Sequence, residues 1–241
     1  MCQSRETLQA NLKFDQLMEF LDEQFELFPD TRASNSKYSV ASVLKAAFAM
    51  FSLKSPSVLA FKRQTIAEES NLRSIYRIAG EIPGETQMRE ILDNLEPVYV
   101  RDLFAQIAAL LSAAGVFKQY RYWEQKLLVS IDGVEHFSSQ KVHCPSCTTR
   151  TFRNGDVSYQ HCGLGAVVVH PDKREVFPLE FEPVIKQDGE RKNDCERNGA
   201  KRLCRRLKEQ YPELEMVVVE DALYANAPQC DKSAVMVGVT F

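Results

Sequence analysis

KLLVSIDG, residues 126–133, is a short apolar run that ends in an acid and a glycine. A run of this length closed by turn-forming residues predicts a buried strand, here with Asp132 at its end. EMVVVED, residues 215–221, repeats the pattern and puts Asp221 at the end of a second strand. Between them, SYQHCGLGAVVVHPDKREVFPLEF holds two strand-like runs separated by HPDKRE, residues 170–175, which predicts a β-hairpin. KNDCERNGAKRLCRRLKEQYPEL, residues 192–214, follows as a helix stopped near Tyr211 and Pro212. Strand, hairpin, helix, strand predicts an α/β core with a central sheet and at least one crossover helix. Parallel neighbours end on the same sheet edge, where open α/β sheets carry their chemistry, so Asp132 and Asp221 are expected side by side.

Upstream the period changes from strand to helix. Leu12, Leu17, Met18, Leu21, Phe25 and then Val40, Val43, Leu44, Ala47 recur at helical spacing, predicting two helices joined by a loop from Pro29 to Ser39. Ser39 is a candidate N-cap. Further helices are expected in SPSVLAFKRQTIAEES, in EIPGETQMREILDNLEP and in VRDLFAQIAALLSAAGVF up to Gly115. Phe14, Phe20, Phe25, Phe48 and Phe51 are expected in the core of this half. The domain expectation is a helical part over 1–124 and an incomplete α/β part over 125–241.

The chain has 241 residues, 44% of them hydrophobic, enough for one large domain or two modest ones. A net charge of −3 excludes a small, uniformly basic nucleic-acid binder but leaves room for one basic face. No stretch approaches the roughly 20 apolar residues that cross a bilayer, and MCQSRETLQANLKF has no signal core, so a cytoplasmic protein without a membrane partner is expected. Seven irregularly placed cysteines fit reduced thiols better than a disulfide framework. Cys2, Cys195, Cys204 and Cys230 are read as small hydrophobes.

Carboxylates converging at strand ends would form an oxygen-rich site for Mg2+ or Mn2+, able to clamp a phosphodiester. Either acid alone is more often a solvated strand end than a ligand. Cys144 and Cys147 form a C-x-x-C with His143 before it, and His161 and Cys162 lie near the distance of a zinc site's second half. Adjacent strand residues face opposite ways, so His161 and Cys162 do not both ligate easily, and a thiol loop without zinc is the expectation. Lys201, Arg202, Arg205, Arg206 and Lys208 cluster on the predicted helix as a candidate phosphate-contacting face. Lys37, Lys45, Lys62, Arg63, Arg73 and Arg77 are further DNA-contact candidates, with Gln87 and Arg89 as base readers. His136 and His170 are read as structural, and Glu135 and Glu220 as facing away from the aspartates beside them.

SIDGVEHFSS, HCPSC, VVVHPDKREVFPLEFEPVIKQDGERKNDCERNGAKRL, VVVEDALYANAP and ETQMREILDNLEP together resemble the insertion-sequence transposases that carry a DDE catalytic triad on an RNase H-like core. The resemblance runs from about Pro83 to Pro228 and is most specific in KNDCERN and VVEDALYANAP. It implies that Asp132 and Asp221 are the first two acids of the triad and metal ligands. Double-stranded DNA at transposon terminal repeats would be the partner, with a homodimer or a pairing with full-length transposase. The family's third acid is a glutamate on a helix well downstream, which QCDKSAVMVGVTF does not provide. The expectation is therefore a C-terminally truncated transposase whose full-length form cleaves and transfers DNA strands. The alternative is an inactive DNA-binding regulator or inhibitor of transposition.

Overall fold

A computed structural model describes residues 13–33, 35–185 and 196–220. Seven α-helices and five strands are found among them. The chain divides into two compact units, Met1–Leu103 and Phe104–Phe241. Residues 104–124 thus belong with the second unit. Among the described residues no helix is long and apolar enough to cross a membrane.

The first unit is built on helices α1 (Phe14–Glu26), α2 (Val40–Ser52), α3 (Val58–Ile75) and α4 (Glu85–Leu92). Ser39 caps α2 as its sequence suggests, its side chain accepting from the Ser42 amide at 3.1 Å, and Ser57 does the same for α3. Met18, Leu21, Phe25, Val43, Ala46, Phe61, Leu72 and Met88 close one apolar core, with Phe20 and Phe48 packed against it. Phe51 and Phe14 depart from expectation, at 73% and 46% exposed. Phe51 follows the buried Met50 on α2, which turns its ring off the face packed against α1. Lys45 takes a core position instead, its ammonium held by Asp22 at 2.5 Å and Glu26 at 3.5 Å. Removal from solvent makes it a packing cation rather than a DNA contact.

Helix α5 (Pro97–Ala113) runs across the division, and α6 (Val116–Gln119) follows Gly115, whose φ of +75° suits a residue without a Cβ. The sheet then opens with β1 (Leu127–Ser139), β2 (Thr148–Thr151), β3 (Val157–Val169) and β4 (Phe177–Val184). Helix α7 (Glu196–Gln210) packs on β4 and β3, and β5 (Met216–Val219) completes the sheet. The chain is thus an α/β protein with N-terminal helices. Across the sheet the order is β4-β3-β1-β5, with β2 sharing the outer edge of β3 beyond β4. β1 and β3 are antiparallel, as are β3 and β4, whereas β1 and β5 run parallel.

Burial explains which residues formed strands. Leu127, Val129 and Ile131 alternate inward along β1, while Met216, Val217 and Val218 are buried in succession on β5. A continuous apolar run of this kind is what a parallel strand covered on both faces requires. His170 occupies the β3–β4 turn, its Nδ1 accepting from the Asp172 amide at 3.1 Å. Tyr120 anchors the segment before β1 to this turn, donating to the Glu175 carbonyl at 3.1 Å and packing edge-on against Phe177.

Candidate functional sites

Two groups of chemistry-bearing residues stand apart in the second unit, one on β1 and one between the β1–β2 connection and β3. The first centres on Asp132. Its neighbours Ile131 and Gly133 point to the face that α7 covers, so Asp132 projects from the other face and is exposed. One carboxylate oxygen accepts from the Gly133 amide at 2.8 Å. Along the parallel pair, Leu127 lies opposite Met216 and Ser130 opposite Val219. Asp221 lies outside the described residues, two positions beyond Val219. The described part of the pairing therefore brings together the strands that lead to both acids.

The helix expected to contact phosphate is placed on the sheet. Leu203 and Leu207 are fully buried, and the side chains of Arg202 and Arg206 reach β4. Arg202 Nε donates to Glu182 Oε1 at 2.6 Å, and Arg206 pairs with Glu182 and, at 3.6 Å, with Glu180. The Glu180 and Glu182 side chains are only 1% and 6% exposed, so these arginines neutralise buried carboxylates. Charges confined to the protein interior need such partners. Arg205 and Lys208 are exposed and Lys201 is half-buried. In the first unit, Lys37 pairs with Glu81, Arg89 with Glu85, and Lys62 donates to the Ile82 carbonyl.

The second group gathers Cys144, Cys147 and His161. Thr148 pairs with Gln160 in the β2–β3 ladder, which sets Cys147, one residue back, beside His161. The Cys147 amide donates to the Cys144 carbonyl at 3.2 Å, closing a turn over Pro145 and Ser146. Proline is favoured at the second position of such turns because its φ is preset. The turn folds Cys144 back over Cys147: the two sulfurs are 3.8 Å apart, and each lies 3.3 Å from His161 Nε2. The Cys144 amide also donates to Cys147 Sγ at 3.3 Å. His143, just before the cluster, stacks on Tyr159 with ring centroids 4.2 Å apart.

Cys162 does not join them. It pairs with Glu135 across β1, where burial first, and then the charges of Glu135 and Glu196, push its thiol up. His136 sits where the β1–β3 register shifts, stacked on His161 at 5.8 Å. Burial, with His161 beside it, lowers its pKa. The sequence pattern set Cys144 and Cys147 together and weighed His161 with Cys162 as the second half of an incomplete site, but the convergence of the three depends on the Pro145 turn and on the β2–β3 register. Cys204 is partly buried on α7, as a space-filling thiol should be, while Cys2, Cys195 and Cys230 lie outside the described residues.

No protein-family model, curated protein or solved structure matches the chain.

Proposed function

We propose that this chain is part of a DDE-type DNA transposase, with Asp132 and Asp221 as metal-binding acids of a phosphodiester site on an RNase H-like core. One observation carries the reading: β1 and β5 are parallel neighbours, and Asp132 and Asp221 each stand two residues past the opposed pair Ser130 and Val219. The strand order β4-β3-β1-β5, antiparallel except for β1 and β5 and with α7 before the last strand, supports the same core.

Asp132 offers an exposed oxygen donor, the type that Mg2+ or Mn2+ takes while keeping several waters and a substrate phosphate. Asp132 and Asp221 would hold the ion, which when bound activates a water or a DNA 3′-hydroxyl and stabilises the leaving oxygen. The chain's own contribution is placement. The Gly133 amide orients the Asp132 carboxylate, and the buried side chains of β1 fix the strand that carries it. Lys201, Arg205 and Lys208 are the residues of the α7 basic cluster offered to DNA phosphates, because Arg202 and Arg206 hold carboxylates of β4. The partner is double-stranded DNA at the ends of a mobile element, in a cytoplasmic setting.

Mn2+ binding followed by electron paramagnetic resonance on the full chain tests the site. Asp132→Ala and Asp221→Ala should each weaken binding by more than about tenfold. Undiminished binding in both variants would refute the carboxylate site. A non-catalytic DNA-binding regulator shares the fold, and it is distinguished by preferential binding to element ends with no strand nicking in Mg2+ or Mn2+.

A further inference from the structure

We propose that Cys144, Cys147 and His161 form a zinc site that clips the β1–β2 connection onto β3. Zinc binds thiolate sulfur at about 2.3 Å and imidazole nitrogen at about 2.0–2.1 Å in a tetrahedron. Those lengths require sulfurs about 3.8 Å apart and sulfur and nitrogen about 3.6 Å apart. The observed separations are 3.8 Å between the sulfurs and 3.3 Å from each sulfur to His161 Nε2. Three ligand atoms thus already stand at the corners of a tetrahedral face. The sulfurs are too far apart for a disulfide, whose bond is about 2.05 Å long.

The scaffold supports this use. Cys147 is 1% exposed and His161 is carried by a strand paired on both edges, so two donors are fixed by the sheet. The third is brought over them by the Pro145 turn. The amide directed at Cys147 Sγ is a donor suited to a thiolate, which accepts more strongly than a thiol. Two sulfurs and one imidazole favour zinc over Mg2+ or Ca2+, which take oxygen. Cys144 is exposed, so the fourth corner opens to solvent and takes a water. Binding releases one proton from each thiol to solvent, and neutral His161 gives its Nε2 lone pair while keeping its proton on Nδ1.

This site is separate from the carboxylates. His161 pairs with Phe137, five residues beyond Asp132 on β1, about 16 Å at the usual rise of a strand. The two sites also differ in donor chemistry, sulfur and nitrogen against oxygen. Their tests can therefore fail independently.

The full chain, purified under reducing conditions without added chelator, should carry about one zinc per molecule by elemental analysis. Replacing zinc with Co2+ should give the visible bands of a tetrahedral centre and a near-ultraviolet thiolate-to-cobalt band. Cys144→Ser, Cys147→Ser and His161→Ala should each weaken zinc by more than the about 10- to 100-fold that an outer partner contributes. Asp132→Ala should leave the zinc content unchanged. Should the ligand variants misfold, alkylation of the unaltered chain decides: zinc should shield the exposed Cys144 and chelation should expose it. A reduced chain that takes up neither zinc nor cobalt, or metal retained by the double cysteine variant, or alkylation of Cys144 at one rate with and without chelator, would overturn the site.

Discussion

A hydrogen fits at position 163 and a methyl does not. A Cβ there would stand 2.1 Å from Phe181 Cζ, because the ring from β4 leans across β3 at this glycine. Gly163→Ala must displace Phe181 or the strand, and overpacking of this kind costs about 1–3 kcal/mol. Urea unfolding measures it, and a midpoint equal to the parent's would show that the ring is not seated there. Cys204 makes a different residue-level prediction. Burial, and after it the negative Glu220, push its thiol from 9.0 to about 12. The folded protein keeps that proton where the unfolded chain releases it, so this contribution to stability is whole below pH 9 and lost as pH rises toward 12. Cys204→Ala should therefore lose less stability than the parent between about pH 8 and about pH 10.5. Equal losses would place the alkaline sensitivity elsewhere.

Helix α7 shows how far an element can be read from its own sequence. Its period, its end at Tyr211 and its buried Leu203 and Leu207 were legible, because helical spacing and a following proline are local signals. The partners of Arg202 and Arg206 were not, because they lie on β4, which precedes the helix in sequence. The available signal was a strand with acids at 180 and 182, on one face, ahead of a helix with arginines at 202 and 206, also on one face. Arg206→Met leaves buried carboxylates without this cation and should cost about 3 kcal/mol, whereas Arg205→Met on the exposed side should stay within about 0.5 kcal/mol. Chemical denaturation of the two variants compares them, and equal costs would mean that the pairing with Glu180 and Glu182 does not hold the helix. The metal-ligand set was half legible for the same reason. The C-x-x-C spacing is local, but the approach of His161 depends on the β2–β3 register, which the sequence does not display. The argument that His161 and Cys162 face opposite ways does agree with their positions.

For the molecule as a whole, the alternation of periods was enough to place helices before the sheet and to order four strands along the chain, but not β2, whose four residues lie in a polar stretch without an apolar run. The pairing of β1 with β5 rested on the rule that strands joined through a helix run parallel, and the structure has that arrangement. Exposure of Phe51 and burial of Lys45 were missed because each depends on which face of α2 meets α1. Overall charge gives a prediction at this level. With a net charge of −3, any DNA contact must come from a local basic surface rather than from the global field. Replacing Lys201 and Arg205 with glutamate should weaken duplex binding and lower the slope of log affinity against log salt by about 2. Fluorescence anisotropy across a salt series reads both, and an unchanged slope would place the DNA surface away from α7.

The parallel pairing of β1 with β5 also sets an order in time. β1, β3 and β4 are joined without a crossover and can pair once the chain through residue 184 is free to fold, but the other edge of β1 then lacks its neighbour. The stretch left open, Leu127 to Ser130, is an apolar strand of the kind that recruits strands from other chains when unpaired. It stays open until α7 has formed and β5 has crossed over to close it, the slowest sort of contact because it joins distant parts of the chain. A nascent chain halted before Met216 would therefore be the aggregation-prone species, and the four residues of β5 act as the seal that ends that exposure.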